Sequence, residues 1–307
     1  MKKIYLLAML ALSVVASATE VFAQEQGEKR DVITFEFGDF LVSVLSEGQQ
    51  SGRSNVLLNA TPEMLKKYLP DGTYPTAVNA FLVRTPDKIV LIDAGFGRKL
   101  FDNLQSLDVS AAQVGAVLLT HMHGDHIGGL LRDGKPAFPN AELYLAQAEH
   151  DYWTSDKAMQ AVPENRRGGF QQAQKVIAAY KGKLRLFAPN ELGAATPNLF
   201  PGFLGISTPG HTPGHTAYLL ESASSRLLIW GDLAHAMSIQ MPRPDVAVTY
   251  DVNPETAVKS RQTLLEYASK NKIPVGGMHI AYPSIGNVKA DSKEGYEFEE
   301  ICTCLGL

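Results

Sequence analysis

The sequence predicts an α/β fold built as a four-layer αβ/βα sandwich. Three observations carry that reading. Short apolar runs rich in Val, Ile and Leu alternate with longer amphipathic stretches in two successive halves, the pattern of sheets covered by helices. The His and Asp residues cluster where those runs give way to Gly- and Pro-rich turns. No polar linker divides the chain, and no short-period repeat or low-complexity tract is visible.

In order along the chain, Ile33 to Phe37 and Leu41 to Leu45 alternate about Gly38-Asp39 and read as a hairpin. Strands follow at Ala80 to Val83, Ile89 to Ile92, Ala116 to Thr120 and Leu143 to Ala146. A second set comes at Phe203 to Ser207, Thr216 to Leu220, Leu227 to Trp230 and Val275 to Met278. Helices are expected at Pro62 to Leu69, ahead of Val117 with Ser110 and Gln113 as a capping box, around Gln147 to Ser155, and at Gly169 to Tyr180. The last helix, Asn253 to Ser269, opens with a capping side chain, a proline in the first turn and the acid Glu255 toward the dipole.

The densest chemistry is His121-Met122-His123-Gly124-Asp125-His126, directly after an apolar strand. Imidazole and carboxylate are the ligands a borderline ion such as zinc prefers. His121 and His123 leave the strand on one face, and a turn at Gly124 brings Asp125 and His126 round, so the segment has donors enough for two ions. Later in the chain His211, Asp232 and His279 each stand just past an apolar run, where residues from adjacent strands converge on one sheet edge. His215, in the same turn as His211, reads as a structural hydrogen-bond partner, and His150 as a surface residue of a helix.

The HxHxDH signature, a His in a Pro-Gly turn, an Asp after Gly and a late His resemble the metallo-β-lactamase fold superfamily of hydrolases, from about Asn79 to Tyr296. The resemblance implies the same sandwich fold and a dizinc centre. In it His121, His123 and His211 hold one ion, Asp125, His126 and His279 the other, and Asp232 bridges them. It further implies a hydroxide between the ions as nucleophile, with Asp125 part of the catalytic apparatus. Asp93, in Val90-Leu91-Ile92-Asp93-Ala94-Gly95, matches a motif whose carboxylate orients the ligand loop without ligating. An all-nitrogen-and-oxygen ligand set is similar to the glyoxalase II, acyl-homoserine lactonase and methyl parathion hydrolase branches, and the flanking text resembles the last two. His235 then falls where relatives present a side chain to substrate, as an oxyanion donor or proton carrier. Trp153 falls where the methyl parathion hydrolase-like proteins place an aromatic wall; Phe96, Phe170 and Met237 are weaker candidates for that lining.

Lys2-Lys3, the apolar stretch Ile4 to Val15 and the small-residue site at Val21-Phe22-Ala23 have the three parts of a secretory signal peptide. The expected organisation is therefore a signal peptide at 1–23, a flexible segment at 24–31 and one hydrolase domain at 32–307, periplasmic or secreted, with no membrane span after cleavage. A net charge of −4 and the lack of a basic block argue against nucleic acid. The two cysteines, Cys302 and Cys304, sit near the chain's end, away from the metal motifs, as free thiols or an intermolecular link. The expected partner is a small lactone or carboxylic ester, acyl-homoserine lactones included, with phosphotriesterase side activity; a homodimer is left open. The alternatives are a β-lactam or thioester hydrolase and, from another class, a redox, sensory or non-catalytic metal-binding protein.

Overall fold

The computed structural model describes residues 31–194, 199–291 and 293–301. The expected signal peptide, residues 24–30 of the segment after it, and Cys302 and Cys304 lie outside the described residues. Two sheets stack face to face. The first runs β1 (Val32–Phe37), β2 (Phe40–Arg53), β3 (Thr73–Arg84), β4 (Ile89–Ile92), β5 (Val114–Leu118), β6 (Glu142–Ala146) and β7 (Leu184–Phe187), in that spatial order. The second runs β8 (Phe203–Ser207), β9 (Thr216–Ser222), β10 (Ser225–Ile229), β11 (Val275–Gly276), β12 (Ile285–Ala290) and β13 (Tyr296–Glu300). Among the helices, α1 (Pro62–Tyr68), α2 (Leu100–Ser106), α3 (Gly124–Ile127), α4 (Gln147–Thr154), α5 (Asp156–Ala161) and α6 (Arg167–Ala179) precede the second sheet. The short α7 (Met237–Gln240) and the long α8 (Pro254–Asn271) follow within it.

Side-chain alternation along the strands builds three apolar layers, and these hold the sandwich together. On β3, Ala80 and Leu82 face the helices while Phe81 and Val83 face the other sheet. On β10, Leu227 and Ile229 meet them from the far side, and Leu228 turns outward to Leu264 and Leu265 of α8. The outer layer of the first sheet is closed by Trp153 of α4 and by Phe170, Ala173 and Val176 of α6. Two sheets between two helix layers are the architecture expected from the sequence.

Several elements differ from expectation. The capping box at Ser110 and Gln113 exists, with Ser110 N–H donating to Gln113 Oε1 at 2.8 Å, but it opens one 3₁₀ turn, Ala111–Gln113. The strand-forming run from Val114 begins at once and ends it; the helix ahead of that strand is α2, upstream. Strands β2 and β3 extend well past Leu45 and before Ala80, with a register shift between Ser46 and Gln49. Their extension carries Gln50, Arg53 and Thr76 out over the site as a polar flap lacking the alternation that marks a half-buried strand. Strand β7, the β12–β13 hairpin and helices α2, α5 and α7 were not expected, and the run at Val275 is a strand for two residues only. The expected cap is present, with Asn253 Oδ1 accepting Thr256 N–H at 3.0 Å at the start of α8, and Thr61 Oγ1 likewise accepts Met64 N–H at 3.3 Å at the start of α1. Asp31 is tied to the first sheet, where its carbonyl accepts Ser46 N–H at 2.7 Å and Lys99 Nζ donates to its carboxylate at 2.8 Å.

Candidate metal centre

Strand direction gathers the chemistry. Strands β4 and β5 are parallel, so Asp93 and the His121–His126 segment leave the same edge of the first sheet. In the second sheet β10 is parallel to β11, and two antiparallel steps make β8 parallel to both. The turns carrying His211, Asp232 and His279 therefore emerge together. The structure brings His121, His123, His211 and Asp232 into one cluster, Asp125, His126 and His279 into a second, and Asp232, His235 and His279 into a third.

Within the first cluster, His123 Nδ1 lies 3.0 Å from His121 Nε2 and 2.9 Å from His211 Nε2. Burial holds His121 neutral, well below the usual histidine range, and burial with the neighbouring His211 pushes His123 down to about 3. Neutral imidazoles aimed at one point offer it lone pairs, the arrangement a divalent cation completes. Asp232 sits at the junction, its Oδ2 3.1 Å from both His211 Nε2 and His279 Nε2 and its Oδ1 3.1 Å from His126 Nε2. Asp232 Oδ1 and His126 Nε2 are buried and make no hydrogen bond. Such orphaned atoms are costly unless something else binds them, and an ion between them fits. Asp125, the most exposed of the set, has Oδ2 3.5 Å from His279 Nε2; burial opposes its charge, but His126 and His279 hold it below the usual carboxylate range.

Three of the imidazoles, His126, His211 and His279, are aimed from behind. Asp93, fully buried, accepts from Thr120 N–H (2.8 Å) and Thr120 Oγ1–H (2.6 Å) and lies 2.7 Å from His126 Nδ1. These contacts occupy its oxygens and tie the Thr120 and His126 ends of the His121–His126 segment to one buried carboxylate. His279 Nδ1 lies 2.8 Å from the carbonyl of Ala77, and His211 Nδ1 lies 2.9 Å from Asp251 Oδ1. His215 Nε2 accepts Asp232 N–H at 2.9 Å, while its Nδ1 lies 2.8 Å from Thr208 Oγ1. Burial pushes His215 down to about 3, so it is a neutral acceptor. Gly231 allows that contact: its φ is +61°, and a Cβ there would fall 2.6 Å from His215 Nε2.

Sequence reasoning missed Glu149, Asp251, Tyr250 and Arg261. Arg261 of α8, 1% exposed, donates to the carbonyls of Leu233, Pro244 and Val246, pinning the loop after Asp232 to the loop before Asp251. Tyr250 and Asp251 follow a strand of only two residues, Ala247–Val248, too short to mark a strand end in sequence, and Glu149 and Arg261 are charged residues on helices, which in sequence look like any solvated face.

Over the cluster lies a cavity of about 930 Å³, lined by His123, Asp125, His211, Asp232, His235 and His279 at its floor. Trp153, only 3% exposed, forms part of its wall edge-on to His123 with centroids 5.5 Å apart, and packs on Phe170, which lines the cavity with it. Phe96, Tyr250 and Val252 form an exposed apolar rim. Met237 is not part of this lining; it faces a separate cavity with Tyr68, Met241 and Tyr296, because α7 turns it away from the floor. His150 is partly exposed beside Asp151, at 3.1 Å. His235 lies over the floor with Nε2 3.0 Å from Asp232 Oδ2 and its ring stacked on His279 at 4.8 Å. Its Nδ1 is buried and without a partner.

Histidines and aspartates gathered at the strand ends of an αβ/βα sandwich, beneath an open cavity, define the class of metal-dependent hydrolases. The profile of the Metallo-beta-lactamase superfamily matches residues 73–272, and the chain belongs to that superfamily. The crystal structure of the hydrolase AbOPH in the beta lactamase superfamily superposes with a TM-score of 0.79 at 29% identity, covering 90% of this chain and 99% of that one. AidC, a dizinc quorum-quenching lactonase in complex with a product N-hexanoyl-L-homoserine, superposes with a TM-score of 0.77 at 26% identity over 88% and 98%. In sequence the chain is 28% identical over 218 residues to the uncharacterized protein YobT of Bacillus subtilis (strain 168), 67% of this chain and 86% of that one.

Proposed function

We propose that the protein is an exported dinuclear hydrolase of lactones or related carboxylic esters, acyl-homoserine lactones among them, with phosphotriesterase side activity. The observation that carries this reading is the convergence of His121, His123 and His211 on one side of Asp232 and of Asp125, His126 and His279 on the other, beneath an apolar-rimmed cavity. The likeness to AidC, a lactonase by name, supports the substrate class. Zinc is the default ion for this donor set, which manganese, cobalt or iron also accept. Bound there, two such ions supply a water acidified to a pKa of about 7 and Lewis acidity toward a carbonyl or phosphoryl oxygen.

The chain's own residues do the rest. Asp232 presents both oxygens to the two halves, and its backbone N–H is fixed by His215. Asp93, Asp251 and the Ala77 carbonyl lock the imidazoles behind it. Phe96, Tyr250 and Val252 offer apolar surface to an acyl or aryl group, with Trp153 as the inner wall. Burial pushes His235 down to about 4 against the pull of Asp232, so near neutral pH it is an uncharged imidazole with Nε2 turned to the centre, 3.0 Å from Asp232 Oδ2. It can donate to a developing oxyanion or pass a proton to a leaving alkoxide.

Elemental analysis of metal-replete protein is expected to give a ratio near two ions per chain; a stable ratio of one in fully active protein would sink the dinuclear scheme. A panel of lactones, esters, phosphotriesters, β-lactams and thioesters is expected to give its largest kcat/KM on a lactone or ester, and fastest turnover of a β-lactam or thioester would reject the substrate assignment. Export is tested separately. Protein from the native host is expected to begin after Ala23, by mass spectrometry; an intact Met1 in a cytoplasmic fraction rejects the signal-peptide reading.

A further inference from the structure

Glu149 has no exposed surface although it lies on α4, and nothing above gives it a part. Its two oxygens meet three N–H groups and no cation. Oε1 accepts from the backbone N–H of Met122 at 3.0 Å and from the indole Nε1–H of Trp153 at 2.6 Å. Oε2 accepts from the backbone N–H of Gly214 at 3.0 Å. Met122 stands between His121 and His123, and Gly214 belongs to the turn that begins with His211. One buried carboxylate thus joins the two loops that carry the three histidines of the first cluster. The approach is close enough to need glycine, since a Cβ on Gly214 would fall 2.1 Å from the backbone nitrogen of Glu149.

We propose that Glu149 is a positioning residue for the first half of the metal centre: holding the Met122 and Gly214 N–H groups on one carboxylate sets the spacing of His121 and His123 against His211, and with it the affinity of the ion they share. The inference rests on the two-ion reading of the site. Buried backbone donors must find acceptors, and of the side chains that fit here a carboxylate can accept from both loops and from Trp153 at once. Such charge-assisted bonds are shorter and stronger than neutral ones. Glutamine has the same size but replaces one acceptor oxygen by an NH₂, which faces an N–H and releases at least one loop. In the second half, His126 and His279 have anchors of their own in Asp93 and the Ala77 carbonyl, so although His126 shares the Met122 segment they should respond less to loss of the Glu149 carboxylate.

The test is a zinc titration of metal-free protein under a competing chelator, followed by ¹⁵N-histidine NMR so that each half is read by its own imidazoles. In Glu149→Gln, the His121, His123 and His211 signals are expected to saturate at roughly ten- to a hundred-fold higher free zinc than in wild type, with a far smaller displacement for His126 and His279. Equal displacement of all five signals, or none, overturns the proposal. Should Glu149→Gln fail to fold by circular dichroism, Trp153→Phe decides, because it removes one donor and leaves the carboxylate. A smaller displacement confined to the same three histidines supports the proposal, and no displacement or a uniform one overturns it. If His126 and His279 ignore zinc in the wild type, the two-ion reading fails, while Glu149 is still judged on the other three.

Discussion

Asp232→Ala is expected to yield a folded protein that cannot hold two ions at once and turns over none of the panel substrates. Among the described residues, Asp232 alone has oxygens that reach His211, His279 and His126 together, at 3.1 Å each, so its loss removes the group common to both halves. Full activity in this variant, with wild-type metal content, would remove Asp232 from the mechanism.

The same variant makes a prediction about pH in the metal-free protein. Burial opposes charge on Asp232, but His126, His279, His121 and His235 around it hold it well below its ordinary 3.8. In return, and against the cost of burial, Asp232 and Asp251 hold His211 up to about 9 from its ordinary 6.5. A raised histidine contributes stability that is fully present below its unfolded value and lost as pH rises through its folded one; a lowered carboxylate contributes above its unfolded value and loses it on acidification through the folded one. The difference in Tm between wild type and Asp232→Ala should therefore be widest between 3.8 and 6.5 and close as pH climbs through about 9. A gap that ignores pH would mean that Asp232 stabilises by packing and not by charge.

How much of this was legible in sequence follows from what each residue does locally. His121, His123, Asp125, His126, His211, Asp232 and His279 stood out because each follows an apolar run at a turn, and strand direction then brought all seven together. The core strands were legible because burial on both faces writes an unbroken apolar run or an alternation. The polar ends of β2 and β3 were not, since Gln50 to Arg53 and Thr73 to Thr76 pair with each other as a flap beyond the core and bury no regular face. Glu149, Asp251 and Arg261 were invisible for a different reason. Their partners lie far off in sequence at Met122, Gly214, His211 and Leu233, and a charged residue on a helix gives no local sign that it points inward. Trp153 shows how two readings of one residue can both describe it: its ring packs on Phe170, its edge lines the cavity, and its N–H is held by Glu149.

His235→Ala is expected to lower kcat on the best lactone or ester by roughly ten- to a thousand-fold, with two ions still bound. The two clusters proposed to hold the ions are complete without it, and its Nε2 lies 3.0 Å from Asp232 Oδ2, beside the place where an oxyanion or leaving group has to be met. The loss should fall on kcat more than on KM, because a contact formed to developing charge acts in the transition state and not in the ground state. His235→Tyr, which again offers a hydrogen-bond donor near Tyr250, should recover part of the lactonase rate. Two results would overturn this. Full activity of the alanine variant on every substrate would make His235 a bystander and shift attention to Tyr250, whose ring lies 5.8 Å from it. Loss of one ion would instead make it a ligand, through the Asp232, His235 and His279 grouping, and its effect on rate would then follow metal content and not substrate.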